Sequence, residues 1–236
     1  MVYGSQNAEV ARRYALGEQG APADLMPEEE DHVSDDGAAV LPVESLEYFM
    51  QAGFPEHPLE SGVTDFSTVY ADRMILRAAT PEDADDLFPI TSDPRTWTHA
   101  PHGRHLDLGT TRDWLSRAAA RWERDGLSYW MARDRQSGRV LGVGGVQRQR
   151  TRNWNLYYRF APETWGHGYA TELGRAALDA AHACDDSVAV IAWILSGHDA
   201  SQHVAQRLSL ADRGPHVDPS DGVTRHAFAD REVALG

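Results

Sequence analysis

A chain of 236 residues with 42% hydrophobic content holds one packed domain and an appendage, and its single cysteine, Cys184, excludes a disulfide framework or Cys-cluster zinc site. The longest apolar run, Val188 to Leu195, is strand-sized and residues 1–30 lack a signal-peptide core, so the expectation is a cytoplasmic protein without a membrane span. The net charge of −14 sits almost wholly in residues 1–70, where 14 acids face only Arg12 and Arg13, and the nearly balanced remainder argues against nucleic-acid binding.

Residues 1–70 read as an acidic, loosely structured extension. Gly17 to Asp36 mixes Gly, Pro and the run Glu28-Glu29-Glu30-Asp31, a composition that cannot bury enough apolar surface to fold alone. A short helix is predicted near 43–52, with Leu46, Phe49 and Met50 on one face and Gly53 as its stop. That stripe would dock on the main domain or serve a homodimer contact.

Residues 71–236 read as one domain. Met74 to Ala78 predicts a strand. Thr80-Pro81-Glu82-Asp83 opens a helix with a hydroxyl N-cap, ending before Ser92-Asp93-Pro94. A second helix runs from about Thr111 to Glu123, with Trp114, Leu115, Ala118 and Trp122 on one face. Between them Arg95 to Asp107 is a polar loop holding Trp97, His99, His102 and His105.

Three strands follow: Leu127 to Asp134, Val140 to Gln147 and Asn153 to Phe160. In the last, Trp154, Leu156, Tyr158 and Phe160 share one face. Gly168 to Ala183 predicts a helix whose buried stripe (Ala170, Leu173, Gly174, Ala177, Leu178, Ala181) is small enough for close packing on a sheet. Strand Val188 to Leu195, a helix from Asp199 to Leu208 and a strand from Thr224 to Arg231 complete the order β-α-α-β-β-β-α-β-α-β. This is a mixed α/β sheet with helices on its faces.

The informative segment is Ala161-Pro-Glu-Thr-Trp165-Gly-His-Gly168-Tyr-Ala-Thr-Glu172, where a strand ends, a Gly-rich turn follows and a helix starts. Unpaired amides at such a helix start converge with the positive end of its dipole and make a site for phosphate. Trp165-Gly-His-Gly-Tyr-Ala-Thr-Glu, preceded by Tyr158-Arg-Phe-Ala-Pro-Glu, resembles the acetyl-CoA-binding motif of the GNAT superfamily, and most closely its RimJ/RimL-type branch of ribosomal-protein N-terminal acetyltransferases. The family's Gln/Arg-x-x-Gly-x-Gly/Ala pattern falls on Trp165, Gly168 and Ala170, with Trp in place of the basic or amide residue. The resemblance covers roughly residues 73–233 and leaves the extension outside.

The resemblance implies a mostly antiparallel sheet, splayed where acetyl-CoA enters. Main chain at Phe160 and Ala161 would pair with pantetheine, and one of those two amides would face the thioester oxygen. Trp165, Gly166, His167, Gly168, Tyr169, Ala170 and Thr171 would hold the diphosphate. In Ser196-Gly197-His198-Asp199-Ala200-Ser201, His198 stands where the branch has an Asn that bonds pantetheine, and an imidazole offers one donor and one acceptor. The helix tyrosine that protonates departing CoA in many relatives is here Ala205, which leaves Ser201, with His198, as the catalytic candidates, or else a bound water or unassisted departure. Leu208-Ser209-Leu210 replaces the usual Leu-Gly-Phe.

The implied reaction is transfer of acetyl from acetyl-CoA to an amine by direct attack in a ternary complex, without a metal and without an acyl-enzyme. The acceptor expected first is a protein or peptide N-terminal amine, whose pKa of about 8 demands less help than a lysine at about 10.4. A small-molecule amine of the aminoglycoside type, or a non-catalytic acyl-CoA-binding module, are the alternatives. Candidate acceptor contacts are Trp97, His99, His102 and Tyr158, and candidate bases are His99, His102, His226, Glu172 and His203, among which the sequence does not choose. Glu172 also reads as a surface partner of Arg175. All 22 basic residues are arginine, which fits either a GC-rich genome or avoidance of self-modification. Gly142-Val-Gly-Gly145 leads into another strand and fails as a dinucleotide fingerprint, and the histidines form no metal-binding pair of the His-Glu-x-x-His kind.

Overall fold

The computed structural model describes residues 65–149, 153–218 and 220–233, so the helix predicted near 43–52 lies outside the described residues. A hairpin of β1 (Thr68–Tyr70) and β2 (Met74–Ala78) leads to α1 (Ala84–Thr91) and α2 (Leu108–Asp125). An antiparallel meander follows: β3 (Tyr129–Asp134), β4 (Val140–Arg148) and β5 (Trp154–Phe160). The chain then alternates as α3 (Tyr169–Asp185), β6 (Val190–Ile194) and α4 (Asp199–Arg207) before a closing hairpin of β7 (Ala211–Val217) and β8 (Thr224–Ala229). All eight strands form one sheet in the order β1-β2-β3-β4-β5-β6-β8-β7, antiparallel except between β5 and β6.

Alternation along the strands divides the core. On β3, Trp130 and Ala132 face α3 while Tyr129 and Met131 face α1 and α2; on β5, Trp154, Leu156 and Phe160 take the α3 side and Tyr157 the other. Leu173, Ala177 and Ala181 of α3 pack on the first face, Leu87 and Leu115 on the second. Each fully buried Leu or Met here contributes about 1.5–3 kcal/mol. The close approach predicted for α3 has a particular cause: a Cβ on Gly174 would lie 2.5 Å from Leu208 Cδ1, so Gly174 admits the end of α4. No helix among the described residues is long and apolar enough to cross a membrane.

Three expectations change. The sheet gains β1 and β7, both at its edges. Gly214-Pro215 reads as a strand breaker, but an edge strand tolerates Pro, and the register shift between Asp212 and Pro215 accommodates it. Because β1 pairs with β2 along Thr68 to Tyr70, the folded unit starts before residue 71. The helix after β2 begins as a 3-10 turn, Pro81–Asp83, with the expected Thr80 at its N-cap in a capping box with Asp83. Thr80 N–H and Oγ1 both donate to Asp83 Oδ2, at 2.9 and 3.1 Å.

Candidate active site

The meander between β4 and β5 is fully paired, from Gly142↔Phe160 to Arg148↔Trp154. The parallel pair β5–β6 is joined only at Trp154↔Val190 and Asn155↔Ile191, after which the strands part. Trp154 N–H donates to Ala189 O and Ala161 N–H to Leu141 O, both at 2.8 Å. Since successive residues of a strand bond to alternate sides, the main-chain amides of Tyr158 and Phe160 project into the gap left by β6. The Phe160 carbonyl accepts from Trp165 Nε1 at 3.0 Å. Ala161 has to be corrected as a main-chain partner: its amide is used by β4, and its carbonyl accepts from Thr164 N and Oγ1.

Beyond β5 the turn passes through Gly166 (φ +77°) and Gly168 (φ +81°), left-handed positions that favour glycine. A Cβ on Gly166 would meet nothing within 4 Å, so the outer side of the turn is open. The first α3 bond is Glu172 N–H to Gly168 O at 3.1 Å, and none of the amides from Gly166 to Thr171 donates to another group among the described residues. These amides and the helix dipole make a concavity suited to a diphosphate. The Tyr169 ring stacks on Phe160, and His167 Nδ1 donates to Trp165 O at 2.8 Å. Trp165 itself stays half exposed beside the turn.

The expected Glu172–Arg175 pair is not formed. Glu172 instead accepts from Arg73 N and Nε, each at 2.8 Å, while Arg73 Nη1 donates to His167 O and its guanidinium lies 4.5 Å from the Tyr169 ring centre. Arg73, which sequence reasoning missed, thus ties the start of β2 to the turn.

Across the gap, His198 caps α4: its Nδ1 accepts from Ser201 N–H at 3.1 Å, which leaves the ring proton on Nε2. Burial, then the neighbouring His99, holds the His198 imidazole below its ordinary range. The two rings lie 4.0 Å apart, tilted by 58°. From β5, burial pushes the Tyr158 hydroxyl up to about 12, opposed by hydrogen bonding with Ser201. Ala205 is buried in the core. Ser209 adopts φ +61°, a strained value for a residue with a Cβ, at the place of the usual glycine.

The loop between α1 and α2 is firmly held. Trp97 is buried, its Nε1 donating to Thr91 O, with the Arg159 guanidinium 3.3 Å from its ring centre and Gly103 on the ring. It is therefore an anchor, and its reading as an acceptor contact is corrected. Arg159 also donates to Thr96 O and Tyr157 Oη. His105 is buried against Thr111 Oγ1 at 2.8 Å. His99 and His102 are exposed, and only His99 meets the far side of the gap. His226 bonds Asp212 on the β7–β8 hairpin, and His203 is exposed on α4. Cys184 lies near the other end of α3, about 24 Å along the helix from Gly168 at 1.5 Å per residue. Among the described residues no cluster of three His, Cys, Asp or Glu side chains could hold a metal.

A parallel strand pair that opens beside a row of free helix-start amides is what the sequence resemblance implies for an acyl-CoA-dependent transferase. The GNAT acetyltransferase domain family matches residues 73–210. The chain belongs to this family and is an acetyl-CoA-dependent N-acetyltransferase. It is 32% identical over 143 residues to the uncharacterized protein YkkB of Bacillus subtilis (strain 168), covering 59% of this chain and 82% of that one. An acetyltransferase from Agrobacterium tumefaciens superposes with a TM-score of 0.58 at 21% identity, covering 73% of this chain and 99% of its own. RimL, a ribosomal L7/L12 α-N-protein acetyltransferase in complex with coenzyme A, superposes with a TM-score of 0.56 at 15% identity, covering 69% and 96%. At such identities the structural likeness carries the fold.

Proposed function

We propose that this chain acetylates the N-terminal amine of a protein or peptide, by direct attack on acetyl-CoA held in the gap between β5 and β6. The observation that carries the reading is the pair of amides at Tyr158 and Phe160 that the register of β5 turns away from β4, beyond the last β5–β6 pairing among the described residues and in line with the open turn of α3. Amides from Gly166 to Thr171 hold the diphosphate. The Phe160 amide faces the thioester oxygen and stabilises the negative charge that develops there. His198 Nε2–H donates to pantetheine, as the family's Asn does. Ser201, at the first turn of α4 and interacting with Tyr158, lends a hydroxyl to the departing thiolate.

The groups at the gap that support this acceptor class are two imidazoles, a phenol and an alcohol, with Asp199 at the start of α4 as the nearby carboxylate. Such a set suits an amine with a pKa of about 8, already substantially neutral near that pH, better than a lysine at about 10.4. The test is CoA release on a panel of short peptides with free N-termini, the same peptides N-blocked but lysine-containing, and aminoglycosides. Turnover confined to free N-termini is expected. Turnover on aminoglycosides alone would make the chain a small-molecule acetyltransferase.

A further inference from the structure

The gap is approached from two faces. The open turn of α3 lies on one; the loop between α1 and α2, pinned by Trp97 and Arg159, lies on the other and carries His99 across to His198. An amine arriving from the loop side meets His99 before the thioester. We propose that His99 accepts the proton of the attacking amine, an inference that rests on the transferase reading above.

Free lone pairs distinguish the imidazoles. His198 cannot take the proton, because Nδ1 is already an acceptor for Ser201 N–H and Nε2 already carries hydrogen. His167 belongs to the turn, with Nδ1 donating to Trp165 O. His226, on β8, is bonded to Asp212 of β7 and is separated from the gap by β6. The ring contact across the gap is made by His99 and not by His102, which is exposed. His99 forms no hydrogen bond to the described residues, so an imidazole nitrogen is available there. The charged groups near the pair are Arg159 on β5 and Asp199 at the first position of α4.

The step balances without another reactant. The neutral amine nitrogen bonds to the carbonyl carbon, a proton of the resulting ammonium passes to His99, and the C–S bond breaks as CoA departs as thiolate. His99 then returns its proton to solvent.

The experiment compares wild type, His99→Gln and His99→Ala on the best amine of the panel, with kcat and KM measured across pH and acetyl-CoA affinity measured by calorimetry. His99→Gln should lower kcat about 100-fold, the scale of a lost general base, with acetyl-CoA affinity unchanged and the acidic limb of the profile lost. Added imidazole should partly restore His99→Ala. A His99→Gln enzyme within threefold of wild type and keeping its acidic limb overturns the proposal, as does an equal loss of acetyl-CoA affinity, which would make His99 merely structural. A wild-type chain that binds acetyl-CoA yet acetylates no amine overturns the transferase reading itself, and His99 with it.

Discussion

Arg73 and Glu172, 99 positions apart, form a pair at 2.8 Å that joins the first residue before β2 to the first turn of α3. Glu172 is mostly covered and Arg73 half exposed, so the acid beside the open turn is neutralised by a guanidinium that also holds His167 O. Arg73→Ala should leave that acid facing the diphosphate. Acetyl-CoA affinity is expected to fall about tenfold, more at low ionic strength than at high. Calorimetry at two salt concentrations checks this. Adding Glu172→Gln should recover part of the loss, because the repelling charge is then gone.

Gly168 is the N-cap of α3 at φ +81°, and a Cβ there would sit 3.6 Å from Arg73 Nη2. Gly168→Ala has the room and bears mainly backbone strain, so a stability loss of about 1–2 kcal/mol is expected with acetyl-CoA binding retained. Gly168→Glu adds bulk and charge where a phosphate must touch main chain, and binding should vanish in a folded protein. If calorimetry finds wild-type affinity for Gly168→Glu, the diphosphate lies elsewhere.

How much of this was legible in the sequence depended on range. The turn from Trp165 to Glu172 is local: its glycines and helix start are contiguous, so the motif spells out the open amides. Phe160 and Ala161 could not be separated, because which amide faces the gap depends on the register of β5 against β4, where Ala161 N–H meets Leu141 O. Trp97 in a polar loop looked like a contact surface, yet Arg159 and Gly103 enclose it from distant parts of the chain. The Glu172–Arg73 pair and the His99–His198 contact are equally long-range. At 208–210 the departure from the family motif was visible, but not that Ser209 would keep glycine's left-handed backbone at a cost of about 1 kcal/mol.

His198 has two separable duties, capping α4 through Nδ1 and offering Nε2–H to the gap. Asn ranks among the best N-caps and also carries a donor. His198→Asn should therefore keep both stability and turnover within a few-fold. His198→Ala should lose about 1 kcal/mol of stability and raise the KM for acetyl-CoA by about three- to tenfold, the worth of one neutral hydrogen bond. Steady-state kinetics with urea unfolding separates the two effects. Were Asn as damaging as Ala, His198 would be moving a proton.

His105 supplies a pH dependence that owes nothing to catalysis. Burial, reinforced by Arg159 and Arg117, holds its imidazole down to about 4, against an ordinary 6.5. The unfolded chain thus binds a proton that the folded one refuses between these values. The stability associated with neutral His105 is complete above pH 6.5 and is lost as pH falls toward 4, at up to about 1.4 kcal/mol per pH unit. His105→Gln should flatten that part of the stability profile relative to wild type. Parallel urea midpoints for the two proteins from pH 7 to 4.5 would remove His105 as the cause.

The folded unit reaches back before residue 71, and this sets a boundary that can be tested. Trp130 is fully buried, and its Nε1 donates to Phe66 O at 2.7 Å, while β1 covers the outer edge of β2. A chain beginning at Asp65 keeps both features. One beginning at Ala71 leaves a buried indole N–H without its acceptor, a loss of about 1–3 kcal/mol, and exposes β2 as a new sheet edge. We therefore propose that the acetyl-CoA-binding domain starts near Asp65 and that the acidic extension acts on the acceptor. The 65-start protein should match the full chain in acetyl-CoA affinity and urea midpoint; the 71-start protein should unfold at lower urea and associate at high concentration. Equal stability of the two truncations would return β1 to the extension. A loss of acetyl-CoA affinity already at the 65-start would make the extension part of the cofactor site.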